Sequence, residues 1–162
     1  MFEVIMKEMF FDLAKYRVQR AFESKIDAEI LLKSDNVAES VSRIFQANFY
    51  AVKSLLATKM KDSAKHQKVL NIFHENFVQS GEVPKEFGLT VDRSYRSRDD
   101  SEHYEQPQIT RKDAESMIEE AERFLCFVRE YLQQHILSNQ SKPVEPMGGE
   151  NDSGDRNKKN RK

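Results

Sequence analysis

Apolar residues recur every three or four positions along most of this chain, and that period predicts helices. Between Phe2 and Leu32 the stripe runs through Ala14, Val18, Ala21, Ala28 and Leu32, with Phe22 and Ile26 beside it. The cluster Ser34-Asp35-Asn36 ends this helix and can cap the next, because short polar side chains bond the orphan amides of a first turn. A second helix follows from about Val37 to Met60. Its apolar positions Val41, Ile44, Phe45, Val52, Leu55 and Leu56 surround much of the cylinder, which places it at the centre of a bundle. A third, from about Ser63 to Ser80, carries Val69, Leu70, Phe73, Phe77 and Val78. It stops at Gly81, a residue that accepts the left-handed conformation of a helix end.

The stretch from Pro84 to His103 is harder to read. Phe87, Leu89 and Val91 alternate over too few residues to make a strand, and Asp92–Glu105 is almost wholly polar. A short helix followed by a loop is expected there. The last helix is plain: Thr110-Arg111-Lys112-Asp113 has the form of a capping box, and Ala114, Met117, Ile118, Ala121, Phe124, Leu125, Val128 and Leu132 follow in register. From Ser138 onward nothing is apolar enough to pack. The expected architecture is therefore all-α: an up-and-down helical bundle of about five helices over residues 1–137, then a disordered polar tail over 138–162. The tail's basic end, Arg156 to Lys162, reads as a solvated charge run or as an RNA-contacting arm.

Composition narrows the classes of function. The chain has 162 residues, enough for one domain with a real core. A net charge of −1 argues against a broad basic surface for nucleic acid, though a cleft can still concentrate a few cations. Cys126 is the only cysteine, which excludes an internal disulfide and points to a reducing compartment. Set between Leu125 and Phe127, it reads as a small apolar filler rather than a reactive thiol. The apolar N-terminal stretch is interrupted by Glu3, Lys7, Glu8 and Asp12, so neither a signal peptide nor a membrane span is expected. A cytoplasmic location, with no membrane partner, is the corresponding expectation. His66 and His74 lie eight apart rather than at the i,i+4 spacing of a helical metal site, and read as ordinary polar positions. No Gly-rich phosphate loop, nucleotidyltransferase Asp pair or Ser-His-Asp order occurs, so neither a metal nor a cofactor is expected.

Three segments carry a resemblance. Ser42-Arg43-Ile44-Phe45-Gln46-Ala47-Asn48-Phe49-Tyr50-Ala51-Val52-Lys53-Ser54-Leu55-Leu56 resembles the second-helix signature of the HEPN domain family, in which an Arg precedes an aromatic-and-alanine run ending in a Leu pair. Lys65 to Phe73 and Phe77 to Gly81 resemble the family's third helix and the turn after it. Arg98 to Tyr104 falls where the family has an Arg, then an acidic residue or His, then a Tyr, and the helix Ala114–Leu132 completes the pattern. The resemblance spans roughly residues 14–135. One departure stands out: Phe45-Gln46 occupies the place where the family often has paired tyrosines.

The resemblance implies a chemistry as well as a fold. Family members that cut RNA are recognised by an Arg, four to six residues, then a His. Arg98 and His103 fit with four residues between, and Arg96 and His103 fit with six. A metal-independent ribonuclease needs a His to move protons at the 2′-hydroxyl and the leaving oxygen, and a guanidinium to hold the phosphate. Arg129 and His135 also fit, with five between, but lie in the regular last helix, away from the family's motif. The function the resemblance implies is an endoribonuclease, the toxin of a toxin–antitoxin pair with a minimal nucleotidyltransferase, working as a homodimer. Arg98 and His103 are the implied catalytic pair, with Arg96, Tyr104 and Arg43 in support. The alternative is a non-catalytic helical module that dimerises or accompanies a nucleotidyltransferase, with Tyr104 a target for nucleotide transfer. Arg98 would then simply be neutralised by Asp99, Asp100 and Glu102, and Arg43 would pair with a carboxylate inside the bundle.

Overall fold

The computed structural model describes residues 1–101 and 109–140. The described residues form five α-helices: α1 (Phe2–Lys33), α2 (Val37–Thr58), α3 (His66–Phe73), α4 (Lys85–Ser101) and α5 (Arg111–Gln140). A single π-turn, His74–Val78, extends α3. The all-helical bundle expected from the period is what the chain forms, and the stretch beyond Gln140, which holds most of the tail, lies outside the described residues.

The local signals act as read. Asn36 caps α2 by accepting from the Glu39 amide, and Asp35 before it takes a positive φ of 58°. Thr110 and Asp113 form the reciprocal capping box of α5, with the Thr110 amide 3.0 Å from the Asp113 carboxylate and the Asp113 amide 3.1 Å from Thr110 Oγ1. Gly81 holds φ at +83° where the chain leaves the π-turn.

Side-chain partners fix the topology. Ser40 donates to the Ala28 carbonyl and Ser54 to the Ala14 carbonyl, so α1 and α2 run antiparallel. Lys25 pairs with Glu122, and Arg129 covers the Phe22 ring, so α1 and α5 are antiparallel too. Arg93 on α4 reaches Glu120 and Phe87 meets Phe124, which makes α4 antiparallel to α5. The result is an up-down-up-down bundle with α3 and its π-turn between α2 and α4. Ala14, Ala21, Ala28, Ala47 and Ala51 are fully buried, and their small size lets α1 and α2 approach closely. The main core fills in around Phe73, Phe77, Phe124, Leu55, Leu56 and Val128.

The segment after Pro84 differs from the expectation. It is a helix of 17 residues rather than a short helix and a loop. Phe87 and Val91, four apart, are buried, whereas Leu89 between them is 66% exposed. What reads as alternation is one helical turn. Its polar continuation is held by long-range pairs, His74 with Asp92 at 2.8 Å and Arg93 with Glu120 at 2.7 Å, which no local pattern announces.

Two ionised pairs tie the loop ends to the bundle. Arg17 bridges the Lys53 carbonyl and Asp62, at 3.1 and 2.8 Å. Burial works against ionisation of Asp62, but hydrogen bonds from Arg17 and the Ser63 amide outweigh it and lower the pKa. Glu82 likewise is opposed by burial yet held below its ordinary value by Lys59 and Tyr131. Both carboxylates therefore favour the folded state above their unfolded pKa values near 4, and that contribution is lost as the pH falls through the lower folded values. The melting temperature is expected to fall as the pH is taken below about 4. Glu82→Gln should flatten part of that decline in a thermal-denaturation series, and an unchanged decline would contradict the assignment.

Candidate functional site

Along α2, Ser42, Phe45, Gln46, Phe49, Tyr50 and Lys53 recur at three- and four-residue steps and so share one face of the helix. They form one wall of a groove of about 260 Å³, completed by His66 at the start of α3 and Arg98 near the end of α4. The Arg98 guanidinium lies 4.7 Å from the centre of the Phe45 ring, a cation–π contact. Phe45 stacks on Phe49 at 5.5 Å and tilts against Tyr95 at 5.7 Å. Phe49 in turn meets the His66 ring at 4.6 Å, with the Lys53 ammonium 5.9 Å from its centre. Beyond the wall, Arg20 of α1 covers the Tyr50 ring at 5.6 Å.

The electrostatics follow from that list. Two permanent cations and one histidine line the groove, and no carboxylate is among the described residues lining it. Lys53 is partly offset by Asp62 at 3.5 Å, on the side toward Arg17. A row of aromatic faces between Lys53 and Arg98 suits a ligand that combines flat rings with negative charge.

Of the residues singled out from sequence, the groove takes Arg98. Arg96, two positions earlier and so about 200° around the helix, is exposed to solvent. Arg43 is exposed on α2, and its guanidinium donates to Gln46 Oε1 at 3.1 Å rather than to a carboxylate, because it points away from the apolar core. It stands at the rim, one residue removed from the lining. His103 and Tyr104 lie outside the described residues, as does Glu102, and nothing of the Asp99 and Asp100 side chains is described. Cys126 is half-buried, with Arg129 3.7 Å from its sulfur.

Sequence reasoning passed over His66 and the aromatic face of α2. The Phe45, Phe49 and Lys53 spacing of four was available as a signal, since it marks a single helix face. For His66 no local signal existed, because its place depends on how α3 packs across α2.

An all-helical bundle with a cation-flanked aromatic groove between its second and fourth helices defines the class of fold. The sequence model of the HEPN domain matches residues 14–131, and the chain belongs to the HEPN domain family. A "UPF0332 protein" of Thermotoga maritima is 32% identical over 121 residues, covering 75% of this chain and 92% of that protein. Two proteins of Methanocaldococcus jannaschii are also similar. One, named "Putative toxin MJ0142", is 30% identical over 71% of this chain and 78% of its own length. The other, "Putative toxin MJ0605", is 31% identical over 72% and 87%. Among the described residues no helix is long and apolar enough to cross a membrane.

Proposed function

We propose that this chain is a metal-independent endoribonuclease of the HEPN type, acting as a toxin, and that its RNA lies along the groove between α2 and α4. The observation that carries the reading is Arg98, stacked on Phe45 in the groove and five positions ahead of His103 in the chain. The names of the two Methanocaldococcus relatives support the toxin role.

In this reading the 2′-oxygen of a ribose attacks the adjacent phosphorus while the bond from phosphorus to the 5′-oxygen breaks. The products are a 2′,3′-cyclic phosphate and a free 5′-hydroxyl. His103 moves a proton at one of these oxygens, and the same pair in a second copy of the chain serves the other. Arg98 holds the phosphate and offsets the charge that develops on it. Phe49 and His66 give neighbouring bases a stacking surface, and Lys53 takes the next phosphate. Arg43, Arg96 and Tyr104 support the strand at the rim. The partner implied by this role is a nucleotidyltransferase antitoxin, and the working location is the cytoplasm.

The purified chain is expected to cleave single-stranded RNA in excess EDTA. Phe49→Ala should weaken binding of a labelled oligoribonucleotide by about 1–3 kcal/mol, the worth of one stacked base. Gln46 stands in the groove where the family often has a tyrosine, and this favours a second reading, a non-catalytic binding module accompanying a nucleotidyltransferase. RNA left intact at high protein concentration would overturn the first reading in favour of the second.

A further inference from the structure

Another cavity, of about 520 Å³, lies between α1 and α5. It shares no lining residue with the groove along α2, so what it binds is independent of any reading of that groove. Val18, Leu132 and Ile136 give it aliphatic walls, and Lys15, Arg129 and Gln133 are its polar lining. The two helices run antiparallel, with Arg129 over the Phe22 ring. Arg129 therefore stands at one end of the cavity, and Lys15, seven residues before Phe22, at the other. Seven helical residues span about 10 Å.

Neither cation is neutralised. Arg129 meets the Phe22 ring at 4.9 Å and the Cys126 sulfur at 3.7 Å, and among the described residues neither it nor Lys15 has a carboxylate partner. The carboxylates seven residues along the same helix faces, Glu29 and Glu122, are both taken by Lys25. The spacing match of Arg129 with His135 does not occupy the guanidinium either. Six residues turn His135 about 120° around α5, and it stacks there on Tyr131.

We propose that this cavity binds a free fatty carboxylate, with its chain between the two helices and its head group on Arg129. The volume lies within the range of small-ligand sites, about 300–1,000 Å³, which are mostly apolar with a few placed polar groups. Aliphatic walls suit an alkyl chain, and the unneutralised cations select an anion. Phe22 seats the guanidinium, whose planar fork takes both oxygens of a carboxylate. Because Arg129 is exposed, the head group keeps part of its water and the charge is not buried. An extended chain advances roughly 3.5 Å per three bonds, so about eight carbons fill the distance to Lys15. There the lysine stem covers the end of the chain while its ammonium stays in water.

The experiment is calorimetric titration of the full chain with octanoate, kept below its micellar range. Octanoate should bind at one site per chain. Octan-1-ol lacks the charge and acetate lacks the chain, so each should bind about tenfold more weakly or worse. Arg129→Gln should weaken octanoate by about tenfold, the worth of a charge-assisted hydrogen bond. Arg123→Gln, also exposed on α5 but about 120° around it, should leave the affinity unchanged. Both substitutions are on the surface, and retained helical circular dichroism verifies the fold. In methyl spectra the octanoate shifts should fall on Val18, Leu132 and Ile136. No binding of octanoate, equal affinity for octan-1-ol, or equal losses in the two arginine variants overturns the proposal. Shifts centred on methyl groups elsewhere overturn it as well.

Discussion

His103→Ala is expected to slow RNA cleavage by about a hundred- to ten-thousand-fold, the range over which a placed proton donor or acceptor acts. Arg98→Ala should cost about 10²–10³ in rate, as for loss of one preorganised donor to a developing oxyanion. The two variants should differ in kind. In the proposed mechanism Arg98 touches the phosphate before and during reaction, so its loss should raise KM as well as lower kcat, whereas a His103 that acts only on protons should lower kcat alone. Arg98→Lys should recover only part of the loss, because an ammonium keeps the charge but not the planar fork that seats on Phe45 and grips two oxygens. The cation–π contact itself is worth only about 0.5–1 kcal/mol at an accessible site, so Arg98→Ala should leave the melting temperature nearly unchanged. Single-turnover kinetics on a short oligoribonucleotide separate these terms. Cleavage by His103→Ala at the wild-type rate would remove the pair from the mechanism.

The second large effect is on stability. Phe124 is fully buried, with Phe73 at 6.0 Å and Phe87 at 5.5 Å from its ring centre. It thus joins α5 to α3 and α4 at one point. Phe124→Ala removes the apolar surface and leaves a cavity between three helices, a loss of about 3–5 kcal/mol. Set against a total of about 5–15 kcal/mol, that is enough to bring the domain near unfolding at room temperature. A chain of this length should lose roughly 6–20 °C of melting temperature, at 2–4 °C per kcal/mol. Leu89→Ala, on the exposed side of α4, is the control and should change it by little. Scanning calorimetry of the two variants makes the comparison, and equal shifts would mean that the core is not centred on Phe124.

Where the period of apolar residues is set by one continuous interface, it could be read directly. The buried alanines of α1 and the encircled apolar surface of α2 both announce their neighbours, and the caps at Asn36 and Thr110 depend on side chains within three residues of them. Helix α4 was not legible in the same way. Its polar half is stabilised by His74 and Glu120, which lie 18 and 27 positions away from their partners. The groove shows the same division. Arg98 could be found because a family motif marks it, whereas His66 enters only through the packing of α3 on α2. The reading of Arg43 as an internal ion pair misjudged the direction of one side chain, since a helix apolar over most of its circumference still has an outer edge.

Gly88 gives α4 a further meaning. It faces the π-turn, where an added Cβ would stand 3.4 Å from both His74 and Val78. A methyl group there would come into van der Waals contact with both. Arg98 lies ten residues farther along the same rigid rod, about 15 Å away at 1.5 Å per residue. A change at 88 therefore acts on the seating of α4 against the π-turn, at the opposite end of the helix from Arg98 and the Phe45 ring it covers.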